Sequence, residues 1–417
     1  MTSRSVLAST VFGGMIILIA PALAASPQAP GTKIKVELAS LAKPGDTPSK
    51  ANMSKTVAKP AGATLNVPPG FVVNVYAENL TSARNVNVAA NGDVFLAESR
   101  AGKITLLRDA DGDGKAETVA TFAEGFKNPY GITFGNDAVY IGDIEGAWRI
   151  PYTAGDTVAR AKQLRVTAEG AFGSPGGHST RNVVLSPDGK KLYVAIGSAG
   201  NIAEEPEHRA SIQEFTLDAT GTKAGAQRTY AGGLRNPVGT AFYPGTTDLY
   251  TVVNERDTLG DELVPDYLTR VADQGFYGWP YSYLGQNRQQ GFADKRPDLV
   301  VKAIVPDLPF RSHSAPLGLT FYNATQFPRE YRGGAFVALH GSWNAADPRA
   351  YFVAYVPFEN KRPLGDYMIF ASGFWPVSGE KAELWGRPAG VAVAKDGSLL
   401  IADDVSNTIF RVSYTGK

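Results

Sequence analysis

One phrase recurs six times along this chain, and it limits the fold more than any other feature. A polar pair or Pro-Gly turn leads into an alternating apolar strand, then a turn, then a second apolar strand. The copies begin at Arg84 (RNVNVAANGDVFLAE), Lys127 (KNPYGITFGNDAVYIGD), Arg181 (RNVVLSPDGKKLYVAIG), Arg235 (RNPVGTAFYPGTTDLYTVVN), Pro316 (PLGLTFYNATQF, then GGAFVALHG) and Arg387 (RPAGVAVAKDGSLLIADD). A four-stranded blade needs about 40 to 50 residues. The fourth and fifth intervals, 81 and 71 residues, exceed this and therefore carry insertions. A single unit leaves one apolar sheet face bare, and radial packing covers it while leaving only short edges. The expectation is an all-β, six-bladed β-propeller with insertions in the fourth and fifth blades. Phe71–Tyr76 precedes the first copy and Thr408–Tyr414 follows the last, so the two ends should share a blade and close the ring.

The flanks read differently. Arg4, the apolar run Val6–Ala20 and the small-residue site Ala22-Leu23-Ala24 form a secretory signal peptide over residues 1–25, which predicts a secreted or periplasmic protein. No later run approaches the length of a membrane span, so stable membrane insertion is not expected. Residues 26–63 are rich in Ala, Pro, Ser and Lys and read as a flexible leader to a propeller domain over 64–417. Basic and acidic residues number 41 and 40, and removal of Arg4 with the signal balances them. A neutral chain offers no field for nucleic acid. The absence of cysteine excludes thiolate zinc sites, iron–sulfur clusters and covalently attached haem.

In a propeller, loops from successive blades converge on the central channel, so polar residues at repeat starts and strand ends compete for one site. Here these are Arg84, Asn128, His178, Arg235, Asn236, His340, Trp343 and Arg387. So many cations near one axis call for an anion between them. His178, in SPGGHSTRN, follows two glycines at the channel mouth and suits a general base, because imidazole titrates near neutral pH. His340, in ALHGSWN, could bind an acidic ligand or a carbonyl; His313 is open, and His208 reads as a solvated ion-pair partner. The loop holding Glu255, Asp257, Asp261 and Glu262 either binds a hard cation or is an exposed acidic loop. In DADGDGKAE, Asp109, Asp111, Asp113 and Glu117 occupy calcium-loop positions, but the twelfth position is Ala120. That segment is a calcium-stabilised hairpin or an acidic turn. Tyr277, Trp279, Tyr281 and Tyr283 form either a stacking wall or inter-blade core. No dinucleotide fingerprint, Walker loop or zinc-protease motif is present.

The blocks GGHSTRNVVLSPDGKKLYVAIGS, GLRNPVGTAFYP, NERDTLGDE followed by GFYGWP, and GRPAGVAVAKDGSLLIADD resemble the soluble pyrroloquinoline-quinone sugar dehydrogenases, with the sorbosone dehydrogenase branch the nearest in pattern. The resemblance runs from about Phe71 to the C-terminus. It implies pyrroloquinoline quinone and Ca2+ as cofactors, a sugar or aldehyde as substrate, and an external electron acceptor such as a cytochrome or a quinone. By motif position it makes His178 the base and sets Arg235 beside the quinone with Asn236 next to it. It also gives Arg387 to a cofactor carboxylate and the carbonyls of Arg256 and Asp257 to calcium. Two departures stand out: His340-Gly341-Ser342-Trp343-Asn344 replaces a lysine-bearing strand end, and Asp257-Thr258 replaces Gly-Pro. The competing expectations are a calcium-dependent lactonase-like hydrolase and a non-enzymatic binding propeller.

Overall fold

The computed structural model describes residues 1, 28–206, 208–376 and 379–416. The signal-peptide reading therefore lies outside the described residues. Six antiparallel sheets of four main strands stand around one axis, as the repeat predicts. The first copy supplies Ala83–Val88, Val94–Glu98, Lys103–Arg108 and Thr118–Glu124, and each later copy begins another blade in the same order. The last blade is closed by Phe71–Ala77, which pairs with Thr408–Tyr414. Phe71 then packs edge-on against Phe327 (4.8 Å), Phe370 (5.1 Å) and Tyr331 (5.3 Å) of the fifth blade. Such ring pairs contribute about 0.5–1.5 kcal/mol each beyond the area they bury. The insertion of the fourth blade follows its third strand, between Arg270 and Leu308, whereas the extra length of the fifth is spread over the connections between Phe321 and Ala335, between Leu339 and Phe352 and between Ala371 and Pro388.

Four repeats open with Pro-x-Gly, and each residue of that triplet has a structural reason. The innermost strands approach so closely that a Cβ on Gly318 would stand 2.9 Å from the Ala389 carbonyl, and one on Gly390 would stand 3.0 Å from that of Arg84. Gly131 and Gly239 face the next blade in the same way, so only glycine fits. The preceding residues, Tyr130, Val238, Leu317 and Ala389, meet on the axis as a buried apolar cluster. The Tyr130 hydroxyl donates to the Leu317 carbonyl across it (3.3 Å). This plug leaves a cleft at one end of the channel and a separate cavity, lined by Asn85, Asn87 and Thr240, at the other.

The leader expectation fails where the structure describes it. Lys33–Ile34 adds an outer strand to the fifth blade beside Tyr367–Met368, and Lys55–Thr56 runs parallel to Glu383–Leu384. Between them, Gly45 donates to the Leu259 carbonyl (2.9 Å) and Asn52 to that of Trp343 (2.7 Å). Composition registers side chains that cannot build a core. The backbone groups of this segment are instead paired by edges and loops far along the chain. No helix among the described residues is long and apolar enough to cross a membrane.

Candidate active site

Inner strands begin, and second strands end, at the same face of the ring. That topology gathers Arg84, His178, Arg235, Asn236, Asp257, His340, Trp343 and Arg387 around one cleft of about 490 Å3 above the plug. Arg256 is buried behind the cleft wall, and Asn128 stays outside it, bonded to the Ser179 hydroxyl.

His178 is held by its loop. Gly177 has a positive φ of 73° and lies where a Cβ would overlap the Ala199 backbone. Arg209 donates to the carbonyls of Gly176 (2.7 Å) and Gly197 (2.6 Å), and Arg181 to that of His178 itself (2.7 Å). The His178 Nδ1 lies 2.9 Å from the Ser198 carbonyl oxygen. A carbonyl only accepts, so Nδ1 carries the proton and Nε2, with no hydrogen-bond partner among the described residues, keeps its lone pair. Burial, reinforced by the Arg235 charge, pushes the imidazole down to about 4. Desolvation is the larger of the two causes.

Arg235 is 5% exposed, and every one of its nitrogens is engaged. Nε and Nη2 donate to the carbonyl and side-chain oxygens of Asn201 (both 3.0 Å), and Nη1 to the Glu255 carbonyl (2.7 Å). Its Nη2 also lies 3.5 Å from Asp257 Oδ2. Asn344 donates to Asp257 Oδ1 (2.5 Å), and His313 Nδ1 stands 3.6 Å from the same oxygen. Burial opposes ionisation of Asp257, but His313 and Arg235 outweigh it and its carboxyl titrates below the usual range. The reverse holds for its neighbours. Burial pushes Glu255 up to about 7 and Asp266 up to about 6. Glu255 Oε1 and Asn236 Oδ1 are buried without a hydrogen-bond partner among the described residues. The Asp257 carbonyl accepts from Asn201 Nδ2 (3.1 Å) and Arg256 Nε (3.0 Å).

Across the cleft, part of the anion the converging cations called for is supplied by the protein. Asp404, absent from the sequence-based candidates, pairs with Arg84 and accepts from His340 Nε2 (2.9 Å). Burial opposes its charge, yet His340 and Arg84 hold its carboxyl below the usual range. Burial and the Arg387 charge push His340 down to about 4, so it is neutral at pH 7 with its proton directed at Asp404. Arg387 donates to the carbonyls of His340 (2.7 Å) and Gly341 (2.8 Å), leaving Nη1 without a hydrogen-bond partner among the described residues. Asp404 is the final residue of the last quoted repeat, so the available signal was a second acidic residue at a strand end.

The remaining candidates lie elsewhere. Asp109, Asp111, Asp113 and Glu117 sit in the turn between the third and fourth strands of the first blade, at the far face, with ligand oxygens within 4.8 Å of one another. Tyr277, Trp279 and Tyr283 are buried core rather than a cleft wall. His208 contacts Gln213 (3.2 Å) rather than an acidic partner among the described residues.

A family model described as TrAA12-like matches residues 65–268 and 284–415. An uncharacterised protein of Borreliella burgdorferi is 28% identical over 84% of this chain and 91% of its own length. A pyrroloquinoline quinone-dependent pyranose dehydrogenase of Coprinopsis cinerea is 24% identical over 84% of this chain; the match spans about half of that relative, 54%. Among solved structures, the holo pyrroloquinoline quinone domain of pyranose dehydrogenase from Coprinopsis cinerea superposes with a TM-score of 0.71 at 19% identity, covering 87% of this chain and 100% of that one. A calcium structure of the Trichoderma reesei carbohydrate-active enzyme of family AA12 gives 0.68 at 18%, covering 86% and 100%. At these identities the superpositions establish the shared fold.

Proposed function

We propose, from the premise that the chain belongs to the TrAA12-like family, that it oxidises a sugar, an aldose or sorbosone-like aldehyde, with pyrroloquinoline quinone and Ca2+ as cofactors. Electrons then pass to an external acceptor, and the N-terminal signal directs export. The observation carrying this reading is a single cleft that combines a neutral imidazole with a free Nε2, a guanidinium with an unengaged nitrogen, and buried oxygens without partners among the described residues. The donor set fits the cofactor pair. Arg387 Nη1 and the Arg84 edge suit carboxylates of the quinone, Arg235 contributes charge from behind, and Asn236, His340 and Trp343 complete the walls. For the cation, the Arg256 carbonyl and the unpartnered Glu255 oxygen are the ligands in this reading. The Asp257 carbonyl joins them on releasing one of its two donors.

Bound together, the quinone is a two-electron acceptor and the cation polarises its carbonyl. His178 Nε2 takes the proton of the sugar hydroxyl as the hydride leaves the same carbon, while Ser198 fixes the tautomer that leaves Nε2 bare. Trp343, 45% exposed at the rim, offers a flat face to the sugar. The reading predicts that metal-free, quinone-free protein regains dye-reducing activity only when calcium and quinone are both added. Equal activity after exhaustive chelation and dialysis would sink it.

The loop Asp109–Glu117 belongs to folding in this proposal, because it lies at the face opposite the cleft. Calcium is expected to raise the melting temperature of the wild type by a few degrees. Asp111→Ala should lose that increment with kcat unchanged; loss of turnover at constant melting temperature would contradict the assignment.

A further inference from the structure

The N-terminal segment crosses the mouth of the cleft as a strap. At one end Thr47 Oγ1 accepts from the Asp261 backbone (2.8 Å), and a Cβ on Gly260 would stand 2.8 Å from the Thr47 carbonyl, so the two segments are in close contact. At the other end the Asn52 backbone donates to the Trp343 carbonyl (2.7 Å), and its side chain to those of Glu380 (2.8 Å) and Ala346 (3.1 Å). Lys55 and Val57 continue the attachment onto Ala382 and Leu384 (both 2.8 Å). Between Asn52 and Lys55, Met53 lines the cleft with 59% of its surface exposed. Of the large apolar side chains left exposed among the described residues, only Met53 and Trp343 line this cleft.

An exposed thioether and an exposed indole lining a cleft whose other side chains are mostly polar make an apolar rim that water does not favour. A pyranose ring has complementary chemistry, with C–H groups on its faces and hydroxyls at its edge. Hydroxyls can reach His178 and Asn344 inside, while the ring's outer face meets the rim. Methionine has three rotatable bonds and adapts to ligands of varied outline. We infer that the strap is a working part of the active site and that Met53 is a specificity-determining contact for the non-reacting end of the sugar; this rests on the sugar-oxidation reading.

The test uses the quinone-loaded full chain. Met53→Ala, at an exposed position where folding is not at risk, should raise KM for a pyranose substrate about tenfold, the lower end of what an apolar contact contributes to discrimination. kcat and the quinone titration should stay as in the wild type. Asn52→Ala, which frees the strap from Trp343, should give a smaller rise of the same kind. In the wild type, sugar should protect Met53 from sulfoxide formation by dilute peroxide, read by peptide mass spectrometry, while half-buried Met368 serves as the unprotected reference. An unchanged KM in Met53→Ala, or equal Met53 oxidation with and without sugar, overturns the inference and leaves the dehydrogenase reading standing. A wild type that binds no quinone removes both.

Discussion

His178→Gln is expected to slow reduction of the bound quinone by about 10²- to 10⁴-fold, the usual share of a positioned general base, with quinone affinity close to wild type. The prediction follows from the hydrogen bonds around one ring. Ser198 accepts from Nδ1, so the only lone pair available to a substrate proton is on Nε2, which has no hydrogen-bond partner among the described residues. Glutamine can keep the first bond but provides no basic nitrogen. The pH dependence adds a second measurement. Burial, with help from Arg235, pushes the imidazole down to about 4, so the base is already neutral well into the acid range. Wild-type reduction should therefore hold its rate from neutral pH to about 5 and fall as pH drops through about 4, and the glutamine variant should lack that inflection. Stopped-flow reduction across this range decides the matter. If the variant reduces quinone at nearly the wild-type rate, the role passes to His340, whose Nε2 proton points at Asp404. His313 is poorly suited, since its two nitrogens already face Gly260 and Asp257.

What could be read from the sequence was whatever the repeat itself carried. Strands, blade number, ring closure and the sites of insertion depend on local alternation and on spacing, and these survive in a single chain. The convergence of His178, Arg235, Asn236, His340, Trp343 and Arg387 was legible for the same reason, because topology brings repeat starts to one face. The unread features depend on contacts between distant segments. Asp404 meets Arg84 only because the last blade closes on the first. The strap reads as a loose leader in the sequence because its order comes from backbone bonds to Leu259, Trp343 and Ala382 rather than from its own side chains. Glu255 belonged to a loop readable as solvated or cation-binding; that its carboxylate is fully buried and pushed up to about 7 is visible only once neighbouring strands enclose it.

Arg235→Ala should have the broadest effect of any single change at the cleft, lowering the melting temperature as well as weakening quinone binding. The guanidinium satisfies the Glu255 carbonyl, both Asn201 oxygens and one edge of Asp257 while almost wholly out of water. Removing one member of a buried, hydrogen-bonded charge cluster costs about 3–5 kcal/mol, because the remaining groups stay desolvated without their partner. Lysine would restore the charge but not the fork that meets these four acceptors in fixed directions, so Arg235→Lys should recover part of the stability only. The variant should also show its own pH dependence. Burial raises Glu255 above its unfolded value, and the Arg235 charge is the largest force holding it down; without that charge Glu255 should be protonated at pH 7. A carboxyl whose folded-state pKa is raised adds stability at low pH and loses it as pH rises through that value. Arg235→Ala should therefore lose more stability between pH 6 and pH 8 than the wild type does. Thermal melts at the two pH values and a quinone titration at each measure both effects. A variant that melts and binds quinone like the wild type would show that Arg235 neither holds the Glu255–Asp257 loop nor supplies charge to a bound quinone.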